Sequence, residues 1–468
     1  MINENMHFNV ELPKIRDRKY DIEDFGDLNF DPYHNQQVIQ KAIDYVSESG
    51  GGKLRLCSMF ILCGPIVLKS GVELNLPNQC YLKFVKEKRF YQVGLRNWEG
   101  QECFRCNSPI SAYKASNIAI TGSGVIDGDG DNWRPLKEIK VTPMNFMRKL
   151  EKSPYYINTE EGRIWYPSKS AYEGCLLTEE KMTLETAQDY YDFFRPVLIS
   201  LVECDHILLD GFLSFNSPAW NIHPLFCDHL TVSNMMIKNI YAAQNGDGID
   251  VESCTNVVIK YTTFNVGDDG ICIKSGKNRK AREIKRPTVN VHIHHCTVFH
   301  AHGGIVIGSE MSRGVRNVLC EKCSFIGTDT GIRFKSAIGR GGVVENIVIK
   351  NINMNDILEQ AVIMNMDYTL YKMAHERKDF VISSEPDDIP YFKDILLDRI
   401  RVGSAREAIK IVGINEDTIK DITIRDSWIN ATHDISLKKC SNIRAINTTF
   451  NINGDETHYE DGLLPVNE

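Results

Sequence analysis

Nowhere in the chain does an apolar run approach the ~20 residues needed to cross a bilayer. Nor is there an excess of basic residues. Lys and Arg number 54 against 62 Asp and Glu, and the net charge of -8 gives no reason to expect nucleic acid or an anionic membrane as partner. The amino terminus, Met1-Ile2-Asn3-Glu4-Asn5, lacks the basic start and apolar stretch of a secretory leader. A cytoplasmic protein is expected, or a secreted or periplasmic one whose leader has been removed. The Leu-x-x-Leu-x-Leu spacing of leucine-rich repeats is also missing, which sets that solenoid class aside.

Cysteine, by contrast, is plentiful at 14 residues. Cys204, Cys227, Cys254 and Cys440 share one setting, two residues before a turn residue that an aliphatic follows, as expected of small apolar thiols stacked inside a repeat. The Cys103/Cys106 and Cys320/Cys323 pairs have zinc-like spacing. They lie far apart, however, and the second falls in a strand-like repeat, so free buried thiols in a reducing compartment are expected instead.

A turn residue followed by aliphatic-x-aliphatic recurs at Asn117, His206, His229, Asn256, Asn290, Asn317, Asn346, Asp394, Asp421 and Asn442. The short β-branched runs between them are broken by Gly, Asn and Asp. After His206 most steps lie between 21 and 34 residues, and a period in this range made of such strands predicts an all-β solenoid, a parallel β-helix. Apolar residues at 38, 39, 42, 43 and 46 predict a capping helix over 36–46, stopped by Gly50-Gly51-Gly52. One β-helix domain over 1–468 is expected, with insertions near 134–191 and 371–390 that could shape a binding site.

The densest chemistry lies between Asn245 and Lys335: Asn245-Gly246-Asp247-Gly248, Gly267-Asp268-Asp269-Gly270, His302-Gly303-Gly304 and Arg333-Phe334-Lys335. Each group follows the last by about one coil, so all four should stack along one face, with coils roughly 4.8 Å apart. Either acidic motif alone is good turn chemistry. Three carboxylates in one cleft, however, repel when ionised and force at least one proton to be retained, which is what glycoside hydrolysis needs. Arg333 and Lys335 should share a face, with Phe334 pointing into the core, and such a positive pair suits a carboxylate ligand. The basic run Lys274, Lys277, Arg279, Lys280, Arg282, Lys285 and Arg286 reads equally as a solvated loop or as an attractor of polyanions.

These motifs resemble those of glycoside hydrolase family 28, the polygalacturonases and their relatives: Asn-Thr-Asp, Gly-Asp-Asp, Gly-His-Gly and Arg-Ile-Lys. The matches fall at 245–247, 267–269, 301–303 and 333–335, with Gly246, Ala301 and Phe334 as departures that remove no acid, histidine or basic residue. The similarity extends through Gly122–Gly128, Ser217–Pro224 and Gly308–Met311, the last two resembling exo-acting members. It implies a right-handed helix and inversion, with Asp268 as general acid and Asp247 and Asp269 holding the attacking water. His302 would support the acid, while Asn245, Arg333, Lys335 and Tyr368 would bind an acidic oligo- or polysaccharide. No cofactor is implied.

Asp127-Gly128-Asp129-Gly130-Asp131 begins like a calcium loop but lacks the closing glutamate, and the histidines at 292, 294, 295 and 300 lack a clustered carboxylate. Two other functions fit the same fold. A pectate lyase would favour calcium and a basic proton acceptor over three aspartates, and a carbohydrate-binding β-helix would not require the acids at all. The two insertions further predict a cleft walled at one end, and so release of single sugars from chain ends.

Overall fold

The computed structural model describes residues 2–4, 6–138, 154–159, 162–177, 182–367 and 385–466. Tyr368 and most of the second expected insertion lie outside them. The chain winds as a right-handed parallel β-helix. All ten turn residues named above hold φ between 51° and 61°. Asn and Asp tolerate that left-handed conformation better than other non-glycine residues, which is why the motif carries them. Their side chains also join coil to coil. Asn290 Nδ2 donates to Asn256 Oδ1 at 3.0 Å, Asn317 to Asn290 at 3.0 Å and Asn346 to Asn317 at 2.7 Å.

One face is an eleven-stranded sheet, counted among the described residues, whose strands follow chain order from Ile66–Val67 to His433–Lys438. Five neighbours in it matter here: β1 (Ile222–Leu225), β2 (Ile249–Glu252), β3 (Ile271–Lys274), β4 (Gly303–Gly308) and β5 (Thr330–Lys335). Their register stacks Ile222 on Ile249, Ile271, Ile305 and Ile332. Each is buried in the core, where such a side chain contributes about 1.5–3 kcal/mol. Cys204, Cys227 and Cys254 stack inside as expected, and all 14 cysteines are free thiols.

Helix α1 (Pro32–Glu48) closes the amino-terminal end. It starts earlier than the apolar spacing indicates because Pro32 sits in the first turn and the Asp31 side chain accepts from Tyr33 N. Val38, Ile39, Ala42, Ile43 and Val46 face the first coil. The far end is closed by the antiparallel pair Ser441–Ile452 and Asp455–Leu463, which covers the last strand edge. The first insertion carries a small antiparallel sheet (Leu136–Lys137, Tyr156–Thr159, Gly162–Trp165) and two short helices. It packs beside the hairpin Val93–Trp98/Gln101–Cys106.

Candidate active site

The sheet register brings the acids together. Asp247 precedes β2 by two residues and Asp269 precedes β3 by two, so they lie on adjacent rungs, and Gly248 N donates to Asp269 O at 2.9 Å. His302 N donates to Asp268 O at 2.9 Å, which sets the imidazole on the rung above. Two glycines are needed for this closeness. A Cβ on Gly267 would meet Tyr241 O at 2.3 Å, and one on Gly304 would meet the Phe325 ring at 2.3 Å.

Charge is divided unevenly among the three acids. Burial would push Asp269 up, but the Lys335 ammonium and then the Arg333 guanidinium overcome it and hold the carboxyl below its ordinary value. Lys335 Nζ lies 2.6 Å from Asp269 Oδ2, and Arg333 Nη1 lies 3.7 Å from Oδ1. Burial pushes Asp247 well above the carboxylate range, and the nearby Asp250 and Asp268 add to it. Burial thus favours the neutral form of Asp247, and its Oδ1 has no hydrogen-bond partner among the described residues. Asp268 is held by donors: Lys137 Nζ at 3.1 Å and Asn245 N at 3.2 Å on Oδ2, and Asp269 N at 3.2 Å on Oδ1. His302 Nδ1 is 3.6 Å from Asp268 Oδ1.

The stacking of Arg333 differs from its spacing. Gly303 pairs with Thr330, so the residue over His302 is Asp329, 3.8 Å from Nε2, and Arg333 lies farther along β5. Phe334 does point inward, against Phe392. Lys274, read as one cation of a loop run, is instead buried between Asp250 at 3.2 Å and Glu310 at 3.1 Å. Burial would push it down, yet those carboxylates lift it well above its ordinary value. Asp250 is raised to about 7 by burial, against the pull of Lys274 and His223. Within the same run Lys277 faces Glu99 at 3.6 Å and Arg279 faces Asp388 at 3.7 Å, so these cations are engaged rather than set out toward a polyanion.

Beside the acids a cavity of about 280 Å³ is lined by Trp98, Glu99, Arg105, Tyr166, Arg195 and Asn245, among others. The Arg105 guanidinium lies 4.1 Å from the Trp98 ring centre, Trp98 stacks on Trp220 at 4.2 Å, and Lys274 Nζ sits 4.2 Å from the Trp220 ring. Buried Arg195 donates to Pro218 O, Gln244 O and Asn245 Oδ1, all neutral acceptors. Burial, with Arg105 next, pushes its guanidinium below the ordinary value, so the cavity wall holds two guanidiniums, Arg105 and Arg195, together with the carboxylates of Glu99 and Asp192.

Asp268, Asp269 and His302 place one ligand atom each within 4.8 Å, as do Asp205, His206 and His229. In the first set two lysines and an arginine already occupy the carboxylates. In the second the histidine rings are parallel, 5° apart at 4.5 Å, so their lone pairs run side by side rather than converge.

A model for glycosyl hydrolases family 28 matches residues 186–449, more than half of the chain. The chain belongs to this family. That membership favours hydrolysis over the lyase and pure-binder alternatives. The chain is 28% identical over 239 residues to a probable polygalacturonase of Vitis vinifera, covering 51% of this chain and 47% of that protein. It is 26% identical over 397 residues to an exo-poly-alpha-D-galacturonosidase of Dickeya chrysanthemi, covering 83% and 62%. The chain thus spans less than two thirds of either relative. A hyperthermoactive exopolygalacturonase from Thermotoga maritima superposes with a TM-score of 0.77 at 28% identity, over 97% of this chain and 95% of that one.

Proposed function

We propose that the protein hydrolyses α-galacturonosyl linkages of pectin-derived chains by single-displacement inversion, removing sugars from chain ends. The observation that carries this is the acid cluster held against Lys137, Arg333 and Lys335 and joined through Asn245 to a cavity lined by Arg105 and Arg195. One ionised aspartate and one retained proton lie together, with cations that suit a uronate beside them. Asp268 protonates the leaving oxygen, supported by His302, while Asp247 and Asp269 hold the attacking water. Arg333 and Lys335 keep Asp269 ionised and orient the sugar carboxylate, and Asn245 joins the acid to the pocket.

Matched relatives include enzymes of both exo and endo action, so their names do not carry the exo reading. What supports it is that the hairpin 93–106 and the insertion from Leu136 together wall the cavity beside the acids. Free thiols throughout the core support a reducing compartment. Following products from a long galacturonan oligomer tests the mode. Monosaccharide as the sole early product is expected, and a ladder of mid-length fragments would overturn it.

A further inference from the structure

A general acid must carry a proton when the glycosidic oxygen leaves, yet three N–H donors among the described residues converge on Asp268. Lys137 Nζ and Asn245 N share Oδ2, and Asp269 N reaches Oδ1. Each favours the carboxylate form. The two backbone donors are fixed by the β-helix. Lys137 is different, because it comes from the small sheet of the insertion and has a flexible four-carbon stem. Its side chain is 17% exposed and that of Asp268 14%, so the pair opens onto the cleft. A uronate arriving there competes with Asp268 for the same ammonium.

We propose that Lys137 is a substrate-gated partner of Asp268. Its ammonium holds the acid ionised in the free enzyme, moves to the carboxylate of the bound sugar, and so lets Asp268 take up the proton it later donates. This rests on the galacturonan reading above. The proton is already in the site, on Asp247, where burial keeps it in the free state. When Lys137 leaves, that proton passes from an Asp247 oxygen to Asp268 Oδ2, relayed by the water that enters as nucleophile. Asp247 is left as a carboxylate beside ionised Asp269 to hold the nucleophile, and the charge of the trio is unchanged. The other groups facing Asp268 stay in place: His302 with Asp329 behind it, and Asp269 with Lys335 and Arg333 behind it. An uronic acid thus switches on the acid that cleaves it, and a neutral hexoside does not.

The test compares wild type, Lys137→Met and Lys137→Arg on a galacturonate trimer and its methyl ester, with kcat and kcat/KM followed against pH. Removing the ammonium makes the trio's proton harder to lose, so the alkaline limb of kcat/KM moves to higher pH in Lys137→Met. The limb of kcat moves less, because in the complex the ammonium is already on the substrate. KM for the free acid rises about ten-fold or more while that for the ester stays near wild type. Lys137→Arg restores most of the preference for the acid. Thermal melts identify any variant that is merely unfolded, and Lys137→Gln then serves in place of Lys137→Met. A folded, active variant with unmoved limbs, or with KM raised equally for acid and ester, overturns the proposal. A wild type inactive on the trimer would count instead against the galacturonan reading.

Discussion

Replacing Lys335 with Met separates the electrostatic role of this lysine from its shape. Its Nζ lies 2.6 Å from Asp269 Oδ2, with side-chain exposures of 8% and 1%, and the next cation, Arg333, is 3.7 Å away. Met fills much of the same volume, so the loss is charge. Removing one partner of a buried pair typically costs about 3–5 kcal/mol, because the remaining carboxylate stays desolvated. The pH dependence follows from the direction of the Asp269 shift. Its folded value is depressed, so the pair stabilises fully above the ordinary carboxylate range, near pH ~3.9, and this is lost as pH falls through the lower folded value. In Lys335→Met the carboxyl takes up a proton more readily and the penalty fades in acid. Urea titrations should therefore show a gap of roughly 3–5 kcal/mol at pH 7 that narrows at pH 4. Lys335→Met/Asp269→Asn should recover most of the gap. A cost below about 1 kcal/mol at pH 7, an equal gap at both pH values, or no recovery in the double variant would refute the reasoning.

Asp268→Asn keeps the shape but removes the proton donor, and turnover of an unactivated substrate should fall by about 10²–10⁴ with an unchanged melt. Near-normal turnover would show that another group is the acid. Arg333→Ala should weaken galacturonate substrates far more than neutral hexosides, measured as the ratio of kcat/KM values, and equal effects would reduce it to support of Asp269. Proton NMR of the first sugar released from an α-linked substrate should show the β-anomer, and an early α-anomer would exclude inversion.

The repeat was legible because the β-helix writes itself into local rules. A left-handed turn residue is needed once per coil, and Asn, Asp and His at ten such positions hold that φ. The acids were legible for the same reason, since a coil-length step places Asp247 near Asp268 and Asp269. Coil length varies, though, and this variation misplaced Arg333. β5 lies 27 residues after β4 in register, Gly303 to Thr330, so Asp329 rather than Arg333 stands over His302. A 27-residue step from His302 falls on Asp329, an isolated acid with no motif around it to mark it. Lys274 begins a run of cations and so looks solvated, although its alternation within Ile271–Lys274 places it on the buried cleft side.

What remained hidden follows a common principle. Within the solenoid a residue's neighbours are its equivalents one coil away, so period alone assigns contacts. Lys137 reaches Asp268 across 131 positions from a segment that breaks the period, and Arg195 reaches Asn245 across 50 from the end of the same segment. No repeat relates them, and their composition, Lys- and Tyr-rich and partly helical, marks only an insertion. The scaffold therefore fixes the acids of the cleft, whereas on the reading proposed above the insertion supplies the charges that meet the arriving sugar. If specificity evolves by exchanging loops on a rigid frame, the residues that choose the substrate are the ones periodicity cannot reveal.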